Sequence, residues 1–292
     1  MKVKSVLKKN VVHGLFILPN FLLYIIFCVY PIFAGAYYSL TDWNGITKNF
    51  RFTGLGNYVK MFHDKRFLNS ALFTLKYTAV LIFFVVFLSL LAGNLLSSSI
   101  KGKALWKSIY FFPAVISMIA CGLVFDQIFV YGLPQIGEAL HIDFLKKHIL
   151  TDRNTAWIGV VITNIWRGCA IPTILVISGL QTVPVEILES VSLDGAGPFQ
   201  QFWYIKLPYL LPVLSMILVL ILKEGLMVYD YITVLTSGGP AGATESITCL
   251  LYNLGFQEMK FSYAIAQAVT VAAVIIFISI IQILFVDKKR IY

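Results

Sequence analysis

Charged residues are scarce in this sequence. Lys, Arg, Asp and Glu make up 13% of its 292 residues, whereas an average soluble domain carries about 25%. Hydrophobic residues make up 59%, and the mean hydropathy is +0.82. Because a water-facing surface cannot be built from so few charges, the net charge of +9 does not indicate a soluble nucleic-acid-binding protein. The composition predicts a membrane protein with no sizeable soluble domain.

Motifs for catalysis and cofactor binding are also missing. The four cysteines, Cys28, Cys121, Cys169 and Cys249, form no CxxC or CxxH pattern. Metal and redox chemistry are therefore not expected, and the cysteines are expected to be buried. No GxxxxGK[ST] segment occurs, so the chain itself should bind no ATP phosphates. No cofactor is expected to bind to this chain. Since no nucleophile has a recognisable base, no enzymatic activity is predicted.

The sequence contains six apolar runs that are long enough to cross a membrane. A crossing needs about 20 apolar residues, and helices are expected because an open strand edge cannot be satisfied in lipid. The runs are Leu15–Tyr38, Leu72–Leu96, Ile109–Val130, Trp157–Ser178, Tyr209–Tyr231 and Tyr263–Val286. We expect an all-α integral membrane protein with six transmembrane helices, kinked at Pro113, Pro172 and Pro212.

Basic residues flank these runs unevenly. One side of the membrane receives Lys2, Lys4, Lys8, Lys9, Lys101, Lys103, Lys107, Lys206, Lys288, Lys289 and Arg290 in short segments. The positive-inside rule places this side, with the termini 1–14 and 287–292, in the cytoplasm. A cleaved signal peptide is the rival interpretation of the first run. A signal core spans only about 7 to 15 residues, so segment 15–38 is predicted to be retained as a helix.

The connection 181–208, between the fourth and fifth runs, is long for neighbouring helices. A short helix is predicted after Pro184, because apolar residues recur there at helical spacing, and Gly195 should end it. A second short segment is predicted from Pro198 to Ile205, and Pro208 should open the fifth span. A short amphipathic helix with exposed apolar residues fits a groove on a soluble partner.

This connection resembles the EAA loop of permease subunits from binding-protein-dependent ABC importers. That loop consists of EAA, three residues, Gly, nine residues and I-x-L-P. The matching positions are Glu189, Gly195, Ile205, Leu207 and Pro208, with Asp194-Gly195-Ala196 as the frequent DGA. Ser190 and Val191 replace the two alanines, which leaves the fit of the docking surface at Val191 open.

The resemblance implies a type I ABC importer permease fold, with a permease domain over residues 72–286 behind the first helix. It also implies an ATPase-docking surface. The residues carried over to that surface are Glu186, Glu189, Asp194, Gly195, Ala196, Ile205, Leu207 and Pro208.

Motifs near both ends resemble the carbohydrate-uptake branch of this family, and its first permease in particular. They are Leu18-Pro19, Tyr30-Pro31, Ser39-Leu40-Thr41-Asp42-Trp43-Asn44, Gly54-Leu55-Gly56-Asn57-Tyr58, Thr236-Ser237-Gly238-Gly239-Pro240, Thr244-Glu245 and Tyr263-Ala264-Ile265-Ala266. The resemblance implies half of the translocation pathway of an ATP-driven sugar or oligosaccharide importer in a bacterial cell (inner) membrane. The implied partners are a second homologous permease, an ATPase subunit dimer that hydrolyses the ATP, an extracellular or periplasmic sugar-binding protein, and membrane lipid.

Ionisable residues inside the predicted spans mark a candidate pathway, because charge is costly in hydrocarbon. They are Asp126, Arg167, Lys223, Glu224 and Asp230. In one interpretation, Arg167 and Glu224 form an ion pair that only fixes helix packing. In the other, a sugar pathway is lined by Asn164, Trp166, Arg167, Glu224 and Tyr231. Asp230 is expected to have a structural role at the outer gate.

Two other functions stay open. A secondary transporter or channel would work without an ATPase, and the long connection 181–208 would then have no task. An ABC importer for another small polar solute, such as an amino acid or a phosphate ester, would share this connection, since selectivity is expected to reside largely in the binding protein.

Overall fold

The computed structural model describes residues 17–98 and 101–287. The predictions for the cytoplasmic segments 1–14 and 288–292, with their basic residues, lie outside the described residues. The helices are α1 (Ile17–Tyr38), α2 (Gly56–His63), α3 (Lys65–Ser97), α4 (Lys103–Phe111), α5 (Met118–Ala139), α6 (Asp143–Lys146), α7 (Ala156–Gly168), α8 (Ala170–Leu180), α9 (Val185–Leu193), α10 (Pro198–Leu226), α11 (Asp230–Leu235), α12 (Ile247–Tyr252) and α13 (Phe261–Asp287). Within the described ranges no strand forms beyond one bridge between Thr41 and Phe52.

Long apolar helices dominate the described chain. Helices α1, α3, α5, α10 and α13 are long and apolar enough to cross a membrane. The sixth candidate span is the pair α7 and α8, which is bent by 42°. These elements confirm the predicted all-α class and a multi-pass membrane protein.

The cysteines are buried with one exception. Cys121, Cys169 and Cys249 are buried as expected, whereas Cys28 is exposed. Cys28 lies in α1, whose apolar window has no buried residue. A weakly polar thiol is compatible with a helix surface that faces lipid, so burial within the protein is not needed.

The third predicted span, Ile109–Val130, has the wrong bounds. Helix α4 gives way to a 3-10 turn over Phe112–Val115 and to extended backbone at Ile116. Ser117 then caps α5, because its Oγ accepts a hydrogen bond from the N–H of Ala120 at 3.2 Å. The proline within the turn has no N–H to continue the helix, so the spanning helix starts later and extends further than predicted.

The fourth predicted span, Trp157–Ser178, is interrupted at Cys169. Pro172 cannot donate a backbone hydrogen bond, and its ring crowds the carbonyl four residues earlier, that of Gly168. Helix α7 therefore ends at Gly168, and α8 continues at an angle. The predicted kink at Pro172 is confirmed.

The fifth predicted span, Tyr209–Tyr231, is wrong at both ends. Helix α10 passes through Pro208 and Pro212 without interruption. The segment Pro198–Ile205, predicted to be separate, forms its first part, so Pro208 does not open the span. At the other end α10 already stops at Leu226.

Three spanning helices contain a wide π turn, and each turn lies just before a proline. The turns are Ile25–Val29, Ile128–Gly132 and Phe202–Lys206, and the prolines are Pro31, Pro134 and Pro208. In each helix the residue before the proline donates to the carbonyl five residues back. The carbonyl that would clash with the proline ring belongs to the middle residue of the wide turn. The wider spacing relieves this clash, so the helix continues instead of breaking.

The described residues form two compact units, one from residues 17–64 and 251–274 and the other from residues 65–98, 101–250 and 275–287. In the second unit, α3, α8 and α10 pack against one another. Buried side chains of this core include Tyr77, Leu81, Val176, Leu210 and Ile217. Gly93 lets α3 and α8 approach closely, because a Cβ there would lie 2.5 Å from Cγ1 of Val176.

In the first unit, hydrogen bonds fix the loop that carries the Ser-x-Thr-Asp-Trp-Asn motif. The hydroxyls of Thr41 and Ser262 lie 2.9 Å apart, and the N–H of Ser262 donates to the carbonyl of Trp43. The amide of Asn57 donates to the carbonyls of Ser39 and Thr41, both at 2.8 Å. Because these contacts are internal, they give the motif a structural role in this unit.

Candidate functional site

An exposed two-helix segment, residues 184–208, follows α8, and we call it the docking segment. Helix α9 within it buries none of its side chains. The predicted docking residues Glu186, Glu189 and Asp194 are all exposed. Among the described residues no ion pair neutralises these three carboxylates. The segment therefore presents negative charge on its surface.

A left-handed turn at Gly195, with φ of +83°, sets the direction of the chain after α9. The N–H of Gly195 donates to the carbonyl of Ser192, and the N–H of Ala196 donates to that of Val191, both at 3.1 Å. The side chain of Gln201 donates to Oγ of Ser192 at 2.9 Å and to the carbonyl of Ala196 at 3.1 Å. These bonds tie the start of α10 to α9.

Large apolar side chains of the docking segment are exposed as well. Leu193 is 89% exposed and Tyr204 is 77% exposed. Val185, Phe199 and Trp203 are also exposed. Several large exposed apolar side chains beside charged residues within one short segment are typical of a protein interaction site.

The last three predicted docking residues lie within α10 itself. Ile205 and Leu207 are half-buried, and Pro208 is exposed. They belong to the continuous helix that leads from the docking segment into the predicted membrane span. The second half of the docking segment and this span therefore belong to one helix.

A cavity of about 410 Å³ lies within the second unit. Its polar lining includes Asn164, Arg167, Lys223, Glu224, Asp230 and Tyr231. Four of the five predicted pathway residues therefore meet at one cavity, whose volume lies in the usual range for small-molecule sites, about 300 to 1,000 Å³. The charged lining groups comprise two cations and two carboxylates.

Three interruptions of the spanning helices meet at this cavity. Ala114 and Met118 line it on either side of the break before α5, Gly168 lines it at the break after α7, and Met227 and Val228 line it after α10. Non-helical backbone at membrane depth is tolerated where it lines a cavity. The interruptions therefore locate the cavity independently of its polar residues.

Three buried polar atoms at the cavity lack a hydrogen-bond partner among the described residues. They are Oδ1 of Asn164, Oε1 of Glu224 and the hydroxyl oxygen of Tyr231. The side-chain nitrogen of Asn164 donates to the hydroxyl of Tyr77 at 2.9 Å, which fixes its amide oxygen toward the cavity side. Such atoms are typical of a site that binds a polar ligand or water.

Gly168 is a site residue that the sequence did not single out. A Cβ at this position would lie 3.2 Å from Oδ1 of Asn164 and 3.7 Å from Oε1 of Glu224. The two unpartnered oxygens therefore converge over the glycine. A glycine in an apolar run gave no sequence signal, because only the fold brings the two oxygens to it.

Arg167 and Glu224 do not form the salt bridge that one interpretation expected. The Nε of Arg167 instead donates to the carbonyl of Ile116 at 2.8 Å, and no ion pair joins it to Glu224 among the described residues. Because of the break before α5, the Ile116 carbonyl lies outside any helix. It is therefore available to accept the hydrogen bond from the Arg167 guanidinium. The ion-pair interpretation is therefore wrong for this conformation.

Trp166 does not line the cavity, in contrast to its neighbour Arg167. Its ring lies 5.3 Å from that of Phe125, and its side chain is 42% exposed. Successive residues of a helix point in directions about 100° apart, and the Trp166 ring is directed to Phe125 while Arg167 reaches the cavity. Asp126 does not line the cavity either, whereas Asp230 does, as the first residue of α11.

The family model of binding-protein-dependent transport system inner membrane components matches residues 86–291. The chain belongs to this family. The matched range contains the docking segment and every residue that lines the cavity. The multiple sugar-binding transport system permease protein MsmF of Streptococcus mutans is 41% identical to this family member over 283 residues, which cover 97% of each chain. This relative is a transport permease, in agreement with a membrane subunit of a transporter.

Two crystal structures share the fold of this family member. One, of a bacterial ABC transporter involved in the import of the acidic polysaccharide alginate, has a TM-score of 0.82 at 18% identity and covers 99% of both chains. The other, of a bacterial alginate ABC transporter in complex with an alginate pentasaccharide-bound periplasmic protein, has a TM-score of 0.80 at 18% identity, over 99% of this chain and 96% of that one. The expected ABC importer permease fold is confirmed.

Proposed function

We propose that this chain is the non-catalytic permease subunit of an ATP-driven, binding-protein-dependent carbohydrate importer. The observation that carries the proposal is the docking segment, an exposed, acidic and apolar surface held by the Gly195 turn at the end of a predicted span. Its place within the range matched by the family supports the assignment. A channel or secondary transporter would have no use for such a surface.

The docking segment couples the chain to an ATPase subunit dimer. Leu193 and Phe199 enter a groove on the ATPase, and Glu186 and Glu189 pair with basic groups at its edge. Closure of the ATPase dimer then moves α9 and, through the Gln201 bonds, the start of α10. The ATP is bound and hydrolysed by the partners.

The cavity forms this subunit's half of the sugar pathway. Asn164 and Glu224 offer unpartnered oxygens as acceptors of sugar hydroxyl protons, and Arg167 and Lys223 offer donors. Tyr231 supplies an aromatic face for ring C–H groups. The equal number of cations and carboxylates suits a neutral, polyhydroxylated solute, and MsmF, by its name, belongs to a multiple sugar-binding system.

The remaining assignments follow from this role. The second homologous permease supplies the other half of the pathway, and a sugar-binding protein delivers the substrate on the outer side. Both termini lie in the cytoplasm, with helix 15–38 preceding the permease domain 72–286, in a bacterial cell membrane.

A small anionic solute is the second candidate substrate. Arg167 and Lys223 at the cavity favour it, because either could pair with a carboxylate or phosphate if the carboxylates Glu224 and Asp230 were engaged elsewhere. Identification of the ligand retained by the cognate binding protein distinguishes the two candidates, since a neutral saccharide supports the first and an anion the second.

Co-purification and uptake test the proposed coupling. We expect the tagged full chain to co-purify with an ATPase subunit and to support uptake only in vesicles that contain ATP. Leu193→Ser should reduce ATPase recovery about tenfold or more, because a hot-spot side chain contributes about 2 kcal/mol or more. Ile46→Ser, at an apolar residue of 71% exposure in a different loop, is the matched control and should change nothing. Uptake without ATP, or equal ATPase recovery in both variants, would contradict the proposal.

A further inference from the structure

The Thr244-Glu245 motif lies in the loop between α11 and α12 and belongs neither to the cavity lining nor to the docking segment. The Glu245 side chain is buried, and its Oε1 and Oε2 accept hydrogen bonds from Nη2 and Nε of Arg66 at 2.7 and 2.8 Å. A bidentate, charge-assisted pair of this kind is stronger and more directional than a single neutral hydrogen bond. The pair therefore ties the end of this loop to the first turn of α3.

A second contact joins the same stretch of chain to α3 two turns further along. The N–H of Ile247, the first residue of α12, donates to Oγ1 of Thr74 at 3.0 Å. Both residues are buried. Residues 245–247 are thus held against α3 at two points, by an ion pair at one end and by a buried hydrogen bond at the other.

Between these two points, Ser246 reaches the wall of the cavity. Its Oγ donates to the carbonyl of Val228 at 2.7 Å. Val228 lines the cavity and lies outside both helices, in the interruption between α10 and α11. A buried carbonyl in such a place needs a hydrogen-bond donor from elsewhere in the fold, and the Ser246 hydroxyl is that donor.

The preceding end of α10 is fixed on α3 by packing alone. A Cβ at Gly225 would lie 2.7 Å from Oγ1 of Thr78, so the two helices approach closely at this point. The cavity wall 227–229 therefore runs from a packed contact with α3 to the hydrogen bond of Ser246. Its first end depends on the helix pair and its second end on the loop that Arg66 and Glu245 hold.

We propose that Arg66 and Glu245 are positioning residues for the cavity. Their ion pair holds Ser246 where its hydroxyl fixes the Val228 carbonyl, and the wall 227–229 keeps its shape only while the pair is intact. The consequence for transport rests on the proposed function, in which the cavity is the sugar pathway. Loss of the pair then lowers uptake per chain, although neither residue touches the sugar.

Cysteine labelling at position 227 measures the position of the wall directly. The full chain in native membranes would carry Met227→Cys and Cys28→Ser, and labelling by N-ethylmaleimide would be corrected with the Cys28→Ser chain alone. We expect Glu245→Gln to raise the labelling rate about fivefold, the effect of losing a partly exposed ion pair. The rate should rise because a loosened wall exposes the thiol more often.

A double-mutant cycle separates positioning from general destabilisation. Arg66→Gln and Ser246→Ala should each raise the labelling rate as Glu245→Gln does. The combination Arg66→Gln/Glu245→Gln should not exceed either single variant, because both changes remove one and the same contact. Asp143→Asn is the matched control, since it breaks an ion pair with Lys146 in a loop that does not line the cavity, and it should leave the rate unchanged.

Arg66→Lys keeps the proposal falsifiable where the other variants do not accumulate in membranes. It preserves the charge but not the bidentate geometry, so labelling about twofold faster is expected. Unchanged labelling in the variants of the pair, additive effects in the double variant, or an equal change in Asp143→Asn would overturn the proposal. The labelling needs neither ATP nor sugar, so faster labelling with normal uptake would support the positioning role and contradict only the proposed pathway.

Discussion

Asn164, Glu224 and Tyr231 keep polar atoms buried without a hydrogen-bond partner in the described part of the chain. An unsatisfied buried polar group costs about 1 to 3 kcal/mol, and three such groups at one cavity are hard to justify by packing. A polar solute or water in the cavity removes this cost. At the scale of single residues, these atoms are the strongest evidence for a transport pathway.

Removal of the Glu224 carboxylate tests this interpretation. We expect Glu224→Gln to assemble normally, because the amide has the same shape and Glu224 forms no salt bridge among the described residues that the change would break. Uptake should fall about tenfold or more, since a hydrogen bond to a charged group contributes about 1.5 to 3 kcal/mol. Complex yield and initial uptake rate would be measured side by side.

Asp126→Asn provides the matched control, because this carboxylate also lies in a spanning helix but does not line the cavity. It should leave uptake within about twofold. A loss of yield in Glu224→Gln that Arg167→Gln restores would instead support a structural ion pair formed in another conformation. Normal uptake in Glu224→Gln would contradict the pathway assignment.

At the scale of helices, proline has two opposite effects in this chain. Before Pro134 and Pro208 a π turn absorbs the missing hydrogen bond, and the helix continues. At Pro172 no π turn forms and the helix bends. The sequence alone shows a proline in each case. The outcome also differs at Pro212, where α10 continues without a π turn, so it depends on the fold around each proline and not on the proline alone.

The Gly195 turn is the element on which the docking segment depends. A Cβ at residue 195 would meet no atom within 4 Å, so a substitution acts only through the backbone, at φ of +83°. We expect Gly195→Val to cost the turn about 1 to 2 kcal/mol and to lower uptake about tenfold, with Gly195→Asn milder because Asn tolerates this conformation. Membrane insertion, measured as the amount of chain in membranes, should not change.

Gly197 supplies the control for this experiment. Its φ is −71°, and its Cβ position is equally open. Gly197→Ala should therefore retain uptake. Equal effects of Gly195→Val and Gly197→Ala would show that the left-handed turn does not matter for transport.

At the scale of the whole molecule, the sequence predicted the all-α class, the spans and the loop between α8 and α10, because hydrophobic runs and the EAA-like spacing are local signals. It did not predict the break at Ile116 or the continuous α10, because a proline is present in both segments but the helix stops near Pro113 and passes Pro208 through a π turn. The polarity of Asn164, Glu224 and Tyr231 within apolar runs led to their prediction as one group, and the three residues line one cavity. The sequence could not separate Trp166 from Arg167, since that requires the orientation of α7.

Cross-linking at two exposed positions of the second unit tests the central claim most directly. A photo-reactive residue would replace either Glu189 in the docking segment or Ala241 in the loop after α11, at the other end of α10, in the full chain within native membranes. We predict that position 189 cross-links to a protein carrying a GxxxxGK[ST] nucleotide-binding motif and that position 241 does not. A cross-link from position 241 to this ATPase, with none from position 189, would contradict both the coupling and the orientation proposed for the chain.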